Sequence, residues 1–260
     1  MTATRRLRRT ALGLAAALAL APVSAAAQDR GLPIVRDAEI EQLLREYANP
    51  VFRAAGLNVG ATKIILVNDR AFNAFVASGQ KVFINVGVLL EAETPNEVIG
   101  VLAHEAGHIA GGHLARLRQQ LANAQILSVA GMLLGAGAVV GAANAGSRVG
   151  NPGTGAMGVL GGSQELVRRS LLSYQRSEEQ AADQAAVRYL TATGQSPKGM
   201  LDTFRRFADN AMFRSSALDP YLLSHPLPTE RVAQLETLAK KSPHFGKKDP
   251  PALQARHDLM

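Results

Sequence analysis

The chain has no cysteine and no tryptophan, and aromatic residues occupy only 5% of its 260 positions. Without cysteine there is no disulfide, no thiolate metal ligand and no cysteine nucleophile. No basic patch is interleaved with aromatics, as the surface of a nucleic-acid binder would be. The formal net charge of +7 adds little to that case, because four of the 28 basic residues are Arg5, Arg6, Arg8 and Arg9. The first 27 residues carry no acid, so the rest of the chain holds 24 basic against 21 acidic residues, a balance too even to argue for nucleic acid.

Charge is missing altogether from Gln119 to Ser147, where Gly and Ala dominate. Ile126 to Ala143 is long and apolar enough to be weighed as a membrane span. Ala and Gly contribute little insertion energy, however, and no aromatic belt is present. The favoured reading is therefore a Gly/Ala-rich flap or buried hairpin over 119–162, with Asn144 to Gly162 a loop by composition.

The N-terminus carries a basic start, the apolar run Ala11 to Ala21 and the small residues Ala25-Ala26-Ala27. This is the pattern of a secretory signal peptide over 1–27, cleaved after Ala27, and the run is short for an anchor. It predicts export to a bacterial periplasm or beyond.

The stretch with chemistry in it is Val98 to His108, an apolar run ending His104-Glu105-Ala106-Gly107-His108. On a helix His104 and His108 share a face. Two imidazoles so placed can hold one Zn²⁺, with Glu105 beside them to take a proton from water at the ion. Thr94-Pro95-Asn96-Glu97 supplies an N-cap, a proline at the first helical position and the second half of a capping box. The helix is thus expected on grounds independent of the motif.

Around it the pattern is α+β and mainly helical. Asp37 to Ala55 is an amphipathic helix with Pro50 at a kink or end, and Val86 to Glu91 a short helix. Thr62–Asn68, Ala71–Ala77 and Lys81–Asn85 read as strands, the last two joined by Ser78-Gly79-Gln80. Their close spacing predicts a small antiparallel three-stranded sheet. Further helices are expected over Gln164–Thr193, from the Ser196-Pro197 cap to about Met212, and over Glu230–Lys240. Lys241 to Pro251 reads as a linker, and Ala252 to Met260 as the first turns of a helical region that continues in a longer natural polypeptide.

A catalytic zinc needs a third protein ligand and an open position. His113 lies five residues beyond His108, off the ligand face of a continuing helix, and reads as a helix-end or supporting histidine. Glu179 is the better ligand, because Asp183 one turn later can accept the free N–H of a ligating histidine. Glu178 is turned about a quarter turn away from it.

Four motifs taken together resemble the HtpX-like, BepA-type family of periplasmic zinc metallopeptidases, which are gluzincins. They are Asn73-Ala74-Phe75 with Val82 to Gly87; His104-Glu105-x-Gly107-His108 with His113; Arg176-x-x-Glu179-x-x-Ala182-Asp183; and Ser224-His225-Pro226 with Arg231. They span residues 37–240 in the family order. The resemblance implies a zincin domain over 28–240, with one Zn²⁺ on His104, His108 and Glu179, and Glu105 as general base. It also implies that His225 assists catalysis or fills the open position at rest, and that Arg231 lies nearby as a charge-stabilising residue. The strand at Asn73, Ala74 and Phe75 would bind extended substrate by β-augmentation. Ala181 stands where the family usually has an acid, and the family's C-terminal tetratricopeptide array is not in this chain.

The expected activity is endopeptidase cleavage of unfolded or misassembled envelope proteins in the periplasm. The expected partners are those substrates and the outer-membrane assembly machinery, with no nucleic acid and at most peripheral membrane contact. The competing readings are a zinc-containing scaffold for outer-membrane protein assembly with latent proteolysis, and an integral membrane protease resting on Ile126 to Ala143.

Overall fold

The computed structural model describes residues 32–77, 80–126, 152–213, 220–227 and 229–260. The expected signal peptide, the turn residues Ser78 and Gly79, and most of the uncharged segment lie outside them. Among the described residues no helix is long and apolar enough to cross a membrane.

The architecture is α+β and mostly helical. Strand β1 (Ile34–Val35) leads into α1 (Ala38–Ala54), followed by β2 (Lys63–Val67), β3 (Ala74–Ala77) and β4 (Lys81–Asn85). Then come α2 (Val86–Glu91), α3 (Pro95–Gly111), and α4, helical over 113–126 as far as it is described. Helices α5 (Pro152–Ala192), α6 (Lys198–Phe213), α7 (Pro220–Ser224), α8 (Thr229–Ala239) and α9 (Pro251–His257) complete the order.

The sheet corrects the expected antiparallel meander. It has four strands in the order β1-β2-β4-β3, and β2 runs parallel to β4, with Lys63 opposite Lys81 and Val67 opposite Asn85. Only the β3–β4 hairpin and the two-residue β1–β2 pair are antiparallel. The reason lies in residues 68–73, which cross the end of β4 and carry β3 to its far side. Asn85 donates its backbone N–H to Asn73 O (2.9 Å) and its side-chain amide to Ala71 O (3.0 Å), and Gly87 N–H reaches Asp69 O (3.0 Å). A Cβ at Gly87 would overlap the carbonyls of Arg70 and Ala71, so this crossing requires glycine. The consequence is that β3 is an edge strand.

Helix boundaries follow local chemistry. Asp37 caps α1 by accepting from Glu39 and Ile40 N–H, and α1 runs on through Pro50 to Ala54 instead of ending there. Its Leu43, Leu44, Tyr47, Val51 and Phe52 are buried, and that packing outweighs the lost hydrogen bond. Thr94 caps α3, its Oγ1 accepting from Glu97 N–H (3.3 Å), while the Glu97 carboxylate pairs with Arg206 of α6 (2.7 Å). Helix α5 starts at Pro152, inside the segment read as loop; a proline at N1 is pre-set for helix entry.

Every residue of α3 from Pro95 to Gly107 is buried. Such a helix has partners all round, here α1, α5, α6 and β3. Gly100 and Gly107 permit the closest approaches. A Cβ at 100 would lie 2.7 Å from Met200 Cβ, and one at 107 would lie 2.9 Å from the backbone of Ala182. After α8 the chain folds back on the body. Asp249 accepts from Asn96 N–H at the start of α3 (2.9 Å), and His257 is buried between Tyr47 Oη (3.3 Å) and Ala92 O (2.9 Å).

Candidate metal centre

The buried helix α3 presents His104, Glu105 and His108 toward α5, which supplies Glu179 and Asp183. The short helix α7 ends at Ser224, and His225 follows it into the cluster. His104, Glu105 and Asp183 are all under 4% exposed.

Each of His104, His108, Glu179 and His225 offers one donor atom, and these atoms lie within 4.8 Å of one another. The His104 and His108 Nε2 atoms are 3.0 Å apart, and His104 Nε2 is 3.4 Å from His225 Nδ1. Glu179 Oε2 is 3.3 Å from His104 Nε2, its Oε1 3.3 Å from His108 Nε2, and both oxygens 3.2 Å from His225 Nδ1. A tetrahedral ion with bonds of about 2.0–2.1 Å needs donors about 3.3–3.4 Å apart. The donor set and its spacing fit such an ion, which would satisfy all four lone pairs at once.

Each imidazole has a polar neighbour close to its other nitrogen. His104 Nδ1 is 3.0 Å from Asp183 Oδ1. His225 Nε2 donates to Ala74 O (3.1 Å), leaving Nδ1 to face the cluster. His108 Nδ1 is 2.8 Å from His113 Nδ1. Arg231 anchors the carboxylates. Its Nε and Nη2 donate to Asp183 (2.6 and 2.8 Å), its Nη1 lies 2.9 Å from Glu179 Oε2, and its guanidinium stacks 5.0 Å over Phe204.

The electrostatics ask for positive charge at the centre. Burial pulls His104 down, but hydrogen bonds to Asp183 and Glu179 outweigh it and raise its pKa to about 9. Burial also pushes Glu179 up, and the surrounding histidines overcome this and hold it far below the carboxylate range. Glu105 differs: burial dominates and raises its pKa. Among the described residues neither of its oxygens accepts a hydrogen bond, and Oε1 is 3.5 Å from His225 Nε2.

A cavity of about 190 Å³ opens onto Glu105, His108, Glu179 and His225, and Phe75, Val76, Leu114, Leu117 and Tyr174 line it. Of the expected substrate strand, Phe75 reaches the cavity and stacks on Phe83 (5.0 Å between centroids). Ala74 contributes its carbonyl to His225, and Asn73 lies before the strand and accepts from Ser224 Oγ (3.3 Å).

His113 reads from the sequence as a helix-end or supporting histidine off the ligand face of a continuing helix; α3 stops before it, and that brings its ring to His108. Gly112 adopts φ +67° and ends the helix, and the chain turns so that the His113 ring folds back onto His108. The Gly111-Gly112 pair was the available signal. The Ala74 carbonyl carried no signal at all, since backbone groups have no residue identity.

Residues 35–239 match the family model described as Peptidase family M48. The chain is 28% identical over 214 residues to a putative beta-barrel assembly-enhancing protease of Vibrio cholerae, covering 81% of this chain and 41% of that protein. It is 26% identical over 213 residues to the beta-barrel assembly-enhancing protease of Escherichia coli (strain K12), with 80% and 41% coverage. Against the metalloprotease LoiP of the same organism it is 30% identical over 198 residues, 73% of this chain and 69% of that protein. The chain thus spans less than half the length of the beta-barrel assembly-enhancing proteases it matches. The matched region runs from β1 to the end of α8 and takes in the whole donor cluster, Glu105 and Arg231: the chain belongs to peptidase family M48.

Proposed function

We propose that the protein is a zinc-dependent endopeptidase of the periplasm, exported by the signal sequence at 1–27. Its proposed substrates are unfolded or misassembled envelope proteins. The observation that supports this most is the four-donor cluster with the buried Glu105 beside it, whose oxygens accept no hydrogen bond among the described residues. In this reading His104, His108 and Glu179 hold one zinc ion. Zn²⁺ in such a donor set supplies Lewis acidity toward water and the scissile carbonyl. Glu105 takes a proton from the attacking water and returns it to the leaving amine. Asp183 and Arg231 keep the ligands oriented, and Phe75 and Val76 guide an extended substrate along the β3 edge.

The relatives' name supports an envelope role connected with barrel assembly. A second reading, a scaffold for outer-membrane protein assembly with latent proteolysis, draws support from His225, whose Nδ1 sits among the donors where an open position belongs.

Glu105→Gln separates the two. It should retain bound zinc, measured by elemental analysis, and lose at least about 100-fold in cleavage of an unfolded protein substrate. Undiminished cleavage would sink the peptidase assignment. Equal rescue of a deletion strain by the variant and the wild type would favour the scaffold.

A further inference from the structure

We propose that His113 and Glu178 form a positioning pair for His108, the counterpart of what Asp183 does for His104. The inference rests on the reading of His108 as a metal ligand.

The hydrogen bonds run in one consistent direction. His108 turns Nε2 toward the donor cluster, so its Nδ1–H must find an acceptor, and the nearest is His113 Nδ1 at 2.8 Å. A histidine that accepts at Nδ1 carries its proton on Nε2. That atom lies 2.8 Å from Glu178 Oε2. Glu178 is fixed in turn by Arg116, whose Nη2 lies 2.6 Å from the same oxygen. Along Arg116–Glu178–His113–His108 each link thus pairs one donor with one acceptor, and each imidazole is held in one tautomer.

The backbone makes room for this arrangement. His113 is 6% exposed, and a Cβ at residue 111 would overlap its ring. Gly112 supplies the left-handed turn that reverses the ring, and the Gly111 carbonyl accepts from Arg116 Nη1. Glu178 and Glu179 are neighbours on α5 with divided duties, one supporting a histidine and the other facing the cluster. Partners of this kind orient a ligand and raise its basicity, and their loss typically weakens metal binding 10–100-fold.

The test is metal affinity of the full chain, read by competition with a chromophoric chelator, with the visible spectrum of the cobalt-loaded protein as a second readout. His113→Leu keeps the ring's bulk without an acceptor and should weaken zinc binding about 10–100-fold and alter the cobalt bands. His113→Asn places an amide oxygen near the former Nδ1 and should recover most of the affinity. Gly111→Ala, which displaces the ring and leaves the pair's chemistry intact, should behave like His113→Leu. The metal-free unfolding midpoint should be the same in the Leu and Asn variants. Wild-type affinity in His113→Leu, or equal losses in the Leu and Asn variants, would overturn the proposal while leaving the metallopeptidase reading standing. A wild-type chain that bound no divalent metal would overturn both.

Discussion

Arg231 is 2% exposed and serves two carboxylates, a bidentate fork on Asp183 and Nη1 toward Glu179. A buried guanidinium keeps its charge, and its desolvation is offset here because its partners are also charged and hydrogen-bonded. Removing it strands Asp183 inside the protein, so Arg231→Leu should cost about 3–5 kcal/mol in denaturant unfolding. Arg231→Lys should restore little, since an ammonium cannot reproduce the fork. A loss under about 1 kcal/mol in the Leu variant would show the pair to be dispensable. The pH dependence has a definite sign. Burial raises Asp183, but Arg231 and His104 overcome it and leave the folded pKa below its ordinary value. The stabilisation from this group is therefore present above the ordinary Asp value of about 3.9 and is lost as pH falls through the lower folded pKa.

Among the elements, α3 and α5 decide whether the donors meet. They touch backbone to backbone where Gly107 faces Ala182, which lies between Glu179 and Asp183 in α5. Gly to Ala in an exposed helix would stabilise by about 1 kcal/mol. Here the added Cβ would press on the Ala182 backbone at 2.9 Å, and overpacking of that sort costs about 1–3 kcal/mol. Gly107→Ala should thus lower stability by up to about 2 kcal/mol. It should also weaken metal binding, because α5 must move away from His104 and His108. A more stable variant with unchanged metal affinity would contradict this account of the helix contact. The edge strand β3 belongs to the same scale, since its Ala74 carbonyl is where His225 is held.

At the scale of the whole molecule, the donors come from α3, α5 and the residue after α7, so a bound metal ties together three parts of the chain that are distant in sequence. A metal that binds only the folded state at about 1,000 times its Kd adds about 4 kcal/mol. Over a domain of this size that is a rise in Tm on the order of 10 °C. Chelation should lower the calorimetric Tm by this amount and zinc should restore it. A Tm indifferent to chelator would mean that the cluster is assembled without needing the ion.

Much of this was written locally. The i, i+4 spacing of His104 and His108, the Thr94 cap and the Glu179–Asp183 pair depend on helical periodicity, which a sequence displays directly. Composition and strand propensity gave β2, β3 and β4 their places within a few residues. The sequence could not order them, because pairing depends on the loop at 68–73 and on the glycine at 87 that lets it pass. Nor could it show the partners of each histidine. His225 meets a nitrogen 121 residues earlier in the chain, and His113 meets His108 only because Gly112 turns the backbone. Periodicity determined which side chains share a face and could carry chemistry, whereas the long-range packing of helices and loops decided which donor atoms meet and which neighbours hold them in place.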